Sequence, residues 1–107
     1  LAEAIRVIGA WGFEYRTHII WDKGRIGMGY WARQQHELLL IATQGQPPAP
    51  PPETRPASIV RAPRGEHSAK PAEFYELIER MFPDLPKIEL FARTSRPGWA
   101  AWGNQAP

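Results

Sequence analysis

A chain of 107 residues holds one domain at most, and a hydrophobic share of 43% with five Trp, four Phe and three Tyr argues for a packed globule over a disordered segment. The formal charge is only +2, yet the pI near 9.3 reflects bunched arginines, Arg25 with Arg33 and then Arg55, Arg61 and Arg64, a pattern that serves nucleic-acid contact or solubilising loops equally. The absence of Cys excludes a disulfide framework and any thiolate metal site and fits a reducing, cytoplasmic setting, and no run of about 18 apolar residues offers a membrane span.

Leu1, Ala4, Ile5 and Ile8 recur at helical spacing, so Leu1 to Ala10 reads as an amphipathic helix ending near Gly9 or Gly12. No capping residue precedes it, and an opening on Leu reads as a segment cut from something longer. "YRTHIIW", Tyr15 to Trp21, is rich in β-branched and aromatic residues and predicts a strand. "HELLLIA", His36 to Ala42, is a continuous apolar run suited to a strand buried on both faces. Both are expected to be central. Between them "DKGRIGMGYWARQQ" has no usable period and reads as a loop or a ragged strand entrance. Residues 46–56 form a proline-rich surface loop, since proline donates no ladder bond and favours extended backbone. "SIVRAP" is a short edge-strand candidate. Phe74, Leu77, Ile78 and Met81 or Phe82 then mark a second amphipathic helix, entered through Pro71, with Glu73 and Glu76 towards its positive end. "KIELFA", Lys87 to Ala92, and "WAAW", Trp99 to Trp102, complete the strands. Helices interleaved with strands imply an α/β layered sheet.

Four stretches carry residues suited to chemistry. "GRIGMG", Gly24 to Gly29, resembles a phosphate-cradling loop, but no helix opens at its last glycine and no acidic residue follows at the required spacing. Arg25, Tyr30 and Arg33 around it suit base stacking and phosphate pairing; the alternative is a glycine loop whose aromatics fold back on the core. "HSAKP", His67 to Pro71, places a cation at a helix entrance, where Lys70 opposes the dipole and calls for a compensating anion. "ELFAR" ends a buried strand with Arg93, at the carboxyl edge where open α/β sheets bind ligands. Asn104 and Gln105, after the last strand, reach the same edge, and amides suit vicinal hydroxyls. No nucleophilic triad or carboxylate dyad stands out, and His18, His36 and His67 lack metal-ligand spacing.

"WGF", "WDK", "HE", "HSAKP", "ELFAR" and "GWAAWGN" come in one order between Trp11 and Gln105. In this the chain resembles the adenine N(6)-methyltransferases of the MT-A70 type. The resemblance implies a Rossmann-like methyltransferase mixed sheet with flanking helices and one antiparallel strand, and S-adenosylmethionine as cofactor. It further implies that Lys70 pairs with the cofactor carboxylate, that Phe91 lines the adenosine pocket, and that Arg93, Asn104 and Gln105 hold the ribose. The family's Asp-Pro-Pro-Trp loop, whose oxygens accept the hydrogens of the adenine amine, is absent from these 107 residues.

Residues 1–107 are therefore expected to be the C-terminal part of one methyltransferase domain, incomplete and inactive alone, with nucleic acid as partner and DNA favoured over RNA by the short loops of the bacterial or phage branch. The rival is a catalytically silent relative that serves as a nucleic-acid or partner platform. Oligomeric state is not legible.

Overall fold

A computed structural model describes residues 1–29, 31–63, 70–92 and 95–103. Helix α1 spans Ala2–Ala10 and ends as expected: Trp11 N–H reaches the Val7 carbonyl, Phe13 N–H that of Ile8, both at 3.0 Å, and Gly12 takes φ +84° to turn the chain. It buries no residue.

Strand β1, Glu14–Asp22, pairs antiparallel with β2, His36–Thr43, and parallel with β3, Ile59–Arg61, in the order β2-β1-β3. β1 is central, as predicted. β2 is not: it is an edge strand whose apolar run from Leu38 to Ala42 is only half-buried, because hydrogen bonding and packing reach it from one side alone among the described residues. The Pro-rich loop, with a single 3-10 turn at Pro52–Thr54, joins β2 to β3.

Helix α2, Ala72–Met81, lays Phe74, Leu77 and Met81 on β1 and its surroundings, forming the core with Ile19, Trp21 and Ala62. Spacing of three and four residues sets that stripe. Trp21 is fixed twice, by its Nε1 hydrogen bond to the Ala62 carbonyl at 2.7 Å and by edge contact with Phe74 at 5.7 Å between centroids. β4, Lys87–Leu90, and β5, Trp99–Trp102, pair parallel as a second sheet. β4 was expected to be buried; instead Ile88 is 58% and Leu90 56% exposed, since only β5 flanks it among the described residues. Among the described residues the fold is thus a small mixed α/β arrangement of two sheets and two helices.

Side-chain contacts fix the strand directions. Trp21, near the end of β1, touches Phe74 near the start of α2, whereas Thr17 and Ile19 share a cavity with Met81 and Phe82 at its end. Lys87, opening β4, donates from Nζ to the Phe82 carbonyl at 2.6 Å, and Glu89 accepts from the Tyr75 hydroxyl at 2.7 Å. β1 and β4 therefore both run antiparallel to α2, β3 and β5 follow them, and β2 alone is reversed. Carboxyl ends gather at the amino end of α2.

Leu77, 3% exposed, is the centre of this packing. Leu77→Ala is expected to lower the unfolding free energy by about 2–5 kcal/mol in a urea titration, whereas Leu85→Ala, at a position 59% exposed, is expected to stay within about 0.5 kcal/mol of the parent.

Candidate functional site

At that amino end of α2 a cleft of about 430 Å³ opens between the two sheets. Leu38 and Leu39 of β2 line it opposite Ile88, Glu89 and Leu90 of β4, with Trp21, Lys70, Pro71, Phe74 and Tyr75 closing the α2 side. Neighbouring residues of a strand point to opposite faces, so three in a row from β4 mark the cleft as lying along strand edges. Its two carboxylates are already engaged: Glu89 accepts the Tyr75 hydroxyl and Glu37 pairs with Lys23. Lys70 stands exposed just before Pro71, the cap residue of α2, and no ion pair joins it to a carboxylate among the described residues.

The far wall is held by a polar clamp. Glu79 accepts from Arg96 Nε at 2.7 Å and from its terminal nitrogen at 2.9 Å, and from Trp99 Nε1 at 2.7 Å. The Arg96 fork first and the Trp99 indole second hold the Glu79 carboxyl down at about 2, and Glu79 in turn pushes the guanidinium further up. Tyr75 packs edge-on against Trp99 at 5.4 Å and lies under the Arg96 cation at 5.3 Å. Burial, then the hydrogen bond to anionic Glu89, pushes its phenol up to about 12.

Where β4 ends, Phe91 takes φ +57°, a left-handed conformation that costs energy in a residue with a side chain. The turn is pinned by Ala92 N–H to the Trp102 carbonyl at 3.0 Å and by the Phe91 ring, edge-on to Trp102 at 5.5 Å. Gly103 closes against it so tightly, at φ +133°, that a Cβ there would meet Phe91 Cα at 2.6 Å.

Of the residues singled out from sequence, Lys70 lines the cleft and Phe91 follows directly on its wall residue Leu90, 75% exposed. Arg25 and Arg33 are exposed in the loop that leaves the same end of β1, a loop drawn together by Lys23 N–H to Gln35 and Gly27 N–H to Gln34 carbonyls. Tyr30, Arg93, Asn104 and Gln105 lie outside the described residues, as does His67. Sequence reasoning missed Tyr75, Glu79, Glu89 and Arg96. Tyr75 and Glu79, four apart beside the apolar stripe, share a helix face, and that spacing was the available signal. Among the described residues no group of three His, Asp or Glu is placed to hold a metal, and no helix is long and apolar enough to cross a membrane.

Residues 1–105 match the model of the MT-A70 family. A Mycoplasma protein described as type II methyltransferase M.MunI is 38% identical over 108 residues, covering all of this chain and 46% of its own length. The human N(6)-adenosine-methyltransferase catalytic subunit METTL3 is 33% identical over 108 residues, 92% of this chain and 18% of its own, and an Arabidopsis thaliana MT-A70-like N(6)-adenosine-methyltransferase is 33% identical over 105, 89% of this chain and 15% of its own. The chain thus spans less than half the length of these relatives.

Two outcomes are expected at the clamp and the turn. Gly103→Ala combines strain with a backbone clash and is expected to destabilise by at least ~1–2 kcal/mol in thermal unfolding. For pH, Tyr75 is raised from 10.0 to about 12 in the fold, so its contribution is complete below pH 10 and lost as pH rises towards 12; Glu79 is lowered from 4.5 to about 2, so its contribution is complete above pH 4.5 and lost as pH falls towards 2. Tm measured against pH should fall in both windows, with the alkaline fall reduced in Tyr75→Phe and the acid fall reduced in Glu79→Gln.

Proposed function

Because the chain belongs to the MT-A70 family, we propose that it forms the methyl-donor pocket of an S-adenosylmethionine-dependent enzyme that methylates the exocyclic amine of adenine in nucleic acid, DNA in preference to RNA. The carrying observation is Lys70. Its ammonium opens on a cleft whose carboxylates, Glu89 and Glu37, bond Tyr75 and Lys23, and no ion pair joins it to either among the described residues, so the carboxylate of an incoming ligand would suit it by a charge-assisted contact. A cleft of about 430 Å³ falls in the size range of small-molecule sites, and mostly apolar walls with a few polar groups suit a nucleoside. The donor set therefore fits.

In this reading Lys70 binds the amino-acid end of S-adenosylmethionine, the Phe91 ring borders its adenine, and Arg93, Asn104 and Gln105 hold the ribose hydroxyls. The bound cofactor supplies an electrophilic methyl on a sulfonium. The adenine amine is a weak nucleophile because its lone pair is delocalised into the ring, so the protein's contribution is alignment and preorganised polarity. Arg25, Tyr30 and Arg33 would meet the nucleic acid at the same edge, and a base in a duplex has to be turned out to reach it. The Rossmann-like sheet belongs to this reading too. The edges of β2 and β4 that line the cleft, unpaired among the described residues, support a sheet completed from outside residues 1–107, by a segment that carries the Asp-Pro-Pro-Trp loop. Residues 1–107 alone are then inactive.

The test is calorimetric titration of S-adenosylmethionine into the intact protein. Lys70→Ala is expected to cost about 1.5–3 kcal/mol of binding, and the Asn104→Ala, Gln105→Ala double variant to abolish detectable heat. Unchanged affinity in Lys70→Ala removes it from the site; no binding by folded wild type favours a silent platform.

A further inference from the structure

A second cavity, of about 520 Å³, lies at the opposite end of α2 from Lys70. Its floor is apolar, made by Ile19, Ile41, Met81 and Phe82. One wall is the Pro-rich loop, where Pro47, Pro48 and Pro50 offer rigid rings without N–H donors. Arg16, His18 and Arg55 stand around it with Thr17, Thr43 and Ser58, and no Asp or Glu lines it among the described residues. The first cleft, by contrast, carries two carboxylates.

Both guanidiniums are tethered. Arg16 Nε donates to Thr43 Oγ1 at 2.8 Å, and Arg55 Nε donates to the Pro50 carbonyl at 2.8 Å. Such tethers pre-order a long side chain and lower the entropy lost on binding. Arg16 also reaches Glu14 at 3.3 Å, but Glu14 is 71% exposed, so that pair is screened and weak. The terminal nitrogens of Arg55 enter no hydrogen bond or ion pair among the described residues. Arginine, with two parallel N–H groups, suits phosphate oxygens. An apolar floor beside a phosphate-binding rim suits a flat base.

The geometry points to a nucleotide-accepting site on this face, taking one unit of a single-stranded nucleic acid with its phosphate on Arg16 and Arg55 and its base against Ile41 and Phe82. It is separate from the methyl-donor cleft. It draws on the proposed function only in choosing a strand over a free nucleotide.

The experiment is fluorescence anisotropy of a labelled single-stranded DNA oligonucleotide with wild-type protein and an Arg16→Gln, Arg55→Gln double variant, over a series of salt concentrations, with adenosine monophosphate as competitor. The double variant is expected to bind about tenfold more weakly and to lose ~1–2 units of salt slope, about one per phosphate contact removed. Its Tm and its S-adenosylmethionine titration are expected to match wild type. Unchanged oligonucleotide affinity and slope overturn the site, whatever the methyl donor does. Competition by the mononucleotide at concentrations comparable to the oligonucleotide overturns the strand in favour of a free nucleotide. A weaker double variant in a protein that binds no S-adenosylmethionine keeps this site and removes only the donor pocket.

Discussion

Glu79 ties the two-stranded sheet of the described residues to the helix that packs on the three-stranded one. One face of α2 buries Phe74, Leu77 and Met81 on the three-stranded sheet, and the neighbouring face offers Tyr75 and Glu79 to the two-stranded one. That second contact is polar. Arg96 and Trp99 converge on a single carboxylate, and three charge-assisted bonds to one acceptor define an angle where apolar contact would allow sliding. Without it β4 and β5, whose Ile88 and Leu90 are more than half exposed, would rest on the helix through few apolar atoms. The β5 side of the cleft, where Trp99 lines it, inherits its position from this clamp.

The clamp also explains why the cleft is a cleft. α2 is long enough to hold both sheets but leaves the edges of β2 and β4 unpaired among the described residues, and such edges expose rows of N–H and C=O groups that call for a strand or a ligand. Backbone strain in this region falls on the turn that follows β4. Phe91 sits in a left-handed conformation and Gly103 leaves no room for a Cβ; strain of this kind is kept where surrounding contacts over-determine it. Here those contacts are the Trp102 ring and carbonyl. The two tryptophans near the end of the chain thus have different tasks: Trp99 joins β5 to α2, and Trp102 braces the turn after β4.

Much of this was legible in sequence because it rests on local pattern. The stripe Phe74, Leu77, Ile78 and Met81 fixed α2 to within a residue, and the aromatic and β-branched run at Tyr15–Trp21 marked β1. Burial was read less well. A continuous apolar run such as His36–Ala42 tells that a strand wants two covered faces, but whether another element covers them is a non-local fact; the pattern predicts burial for β2 and β4, and both are half-open. At the site, Lys70 announced itself by conflict with the helix dipole, a rule that needs only neighbouring residues. Tyr75, Glu79 and Arg96 gave no such conflict, since their meaning arises only when the chain returns 17 residues after Glu79 to bring Arg96 beside it.

The direction of the strands carries the argument from fold to function. Among the described residues four of five strands run one way and β2 runs against them, so carboxyl ends, loop 23–35 and the positive end of α2 share one edge. In such sheets backbone and helix dipoles present donors there, and loops rather than strands supply the variable chemistry. The opposite edge differs in kind: it has the end of α2, where the dipole is negative, and gathers Arg16 and Arg55 with no lining carboxylate among the described residues. Cations at a helix carboxyl terminus are stabilised by the fold itself. The protein therefore holds positive charge at both ends of one helix for different reasons, at Lys70 against the dipole and at Arg16 and Arg55 in accord with it, and only the first is a cost to the fold.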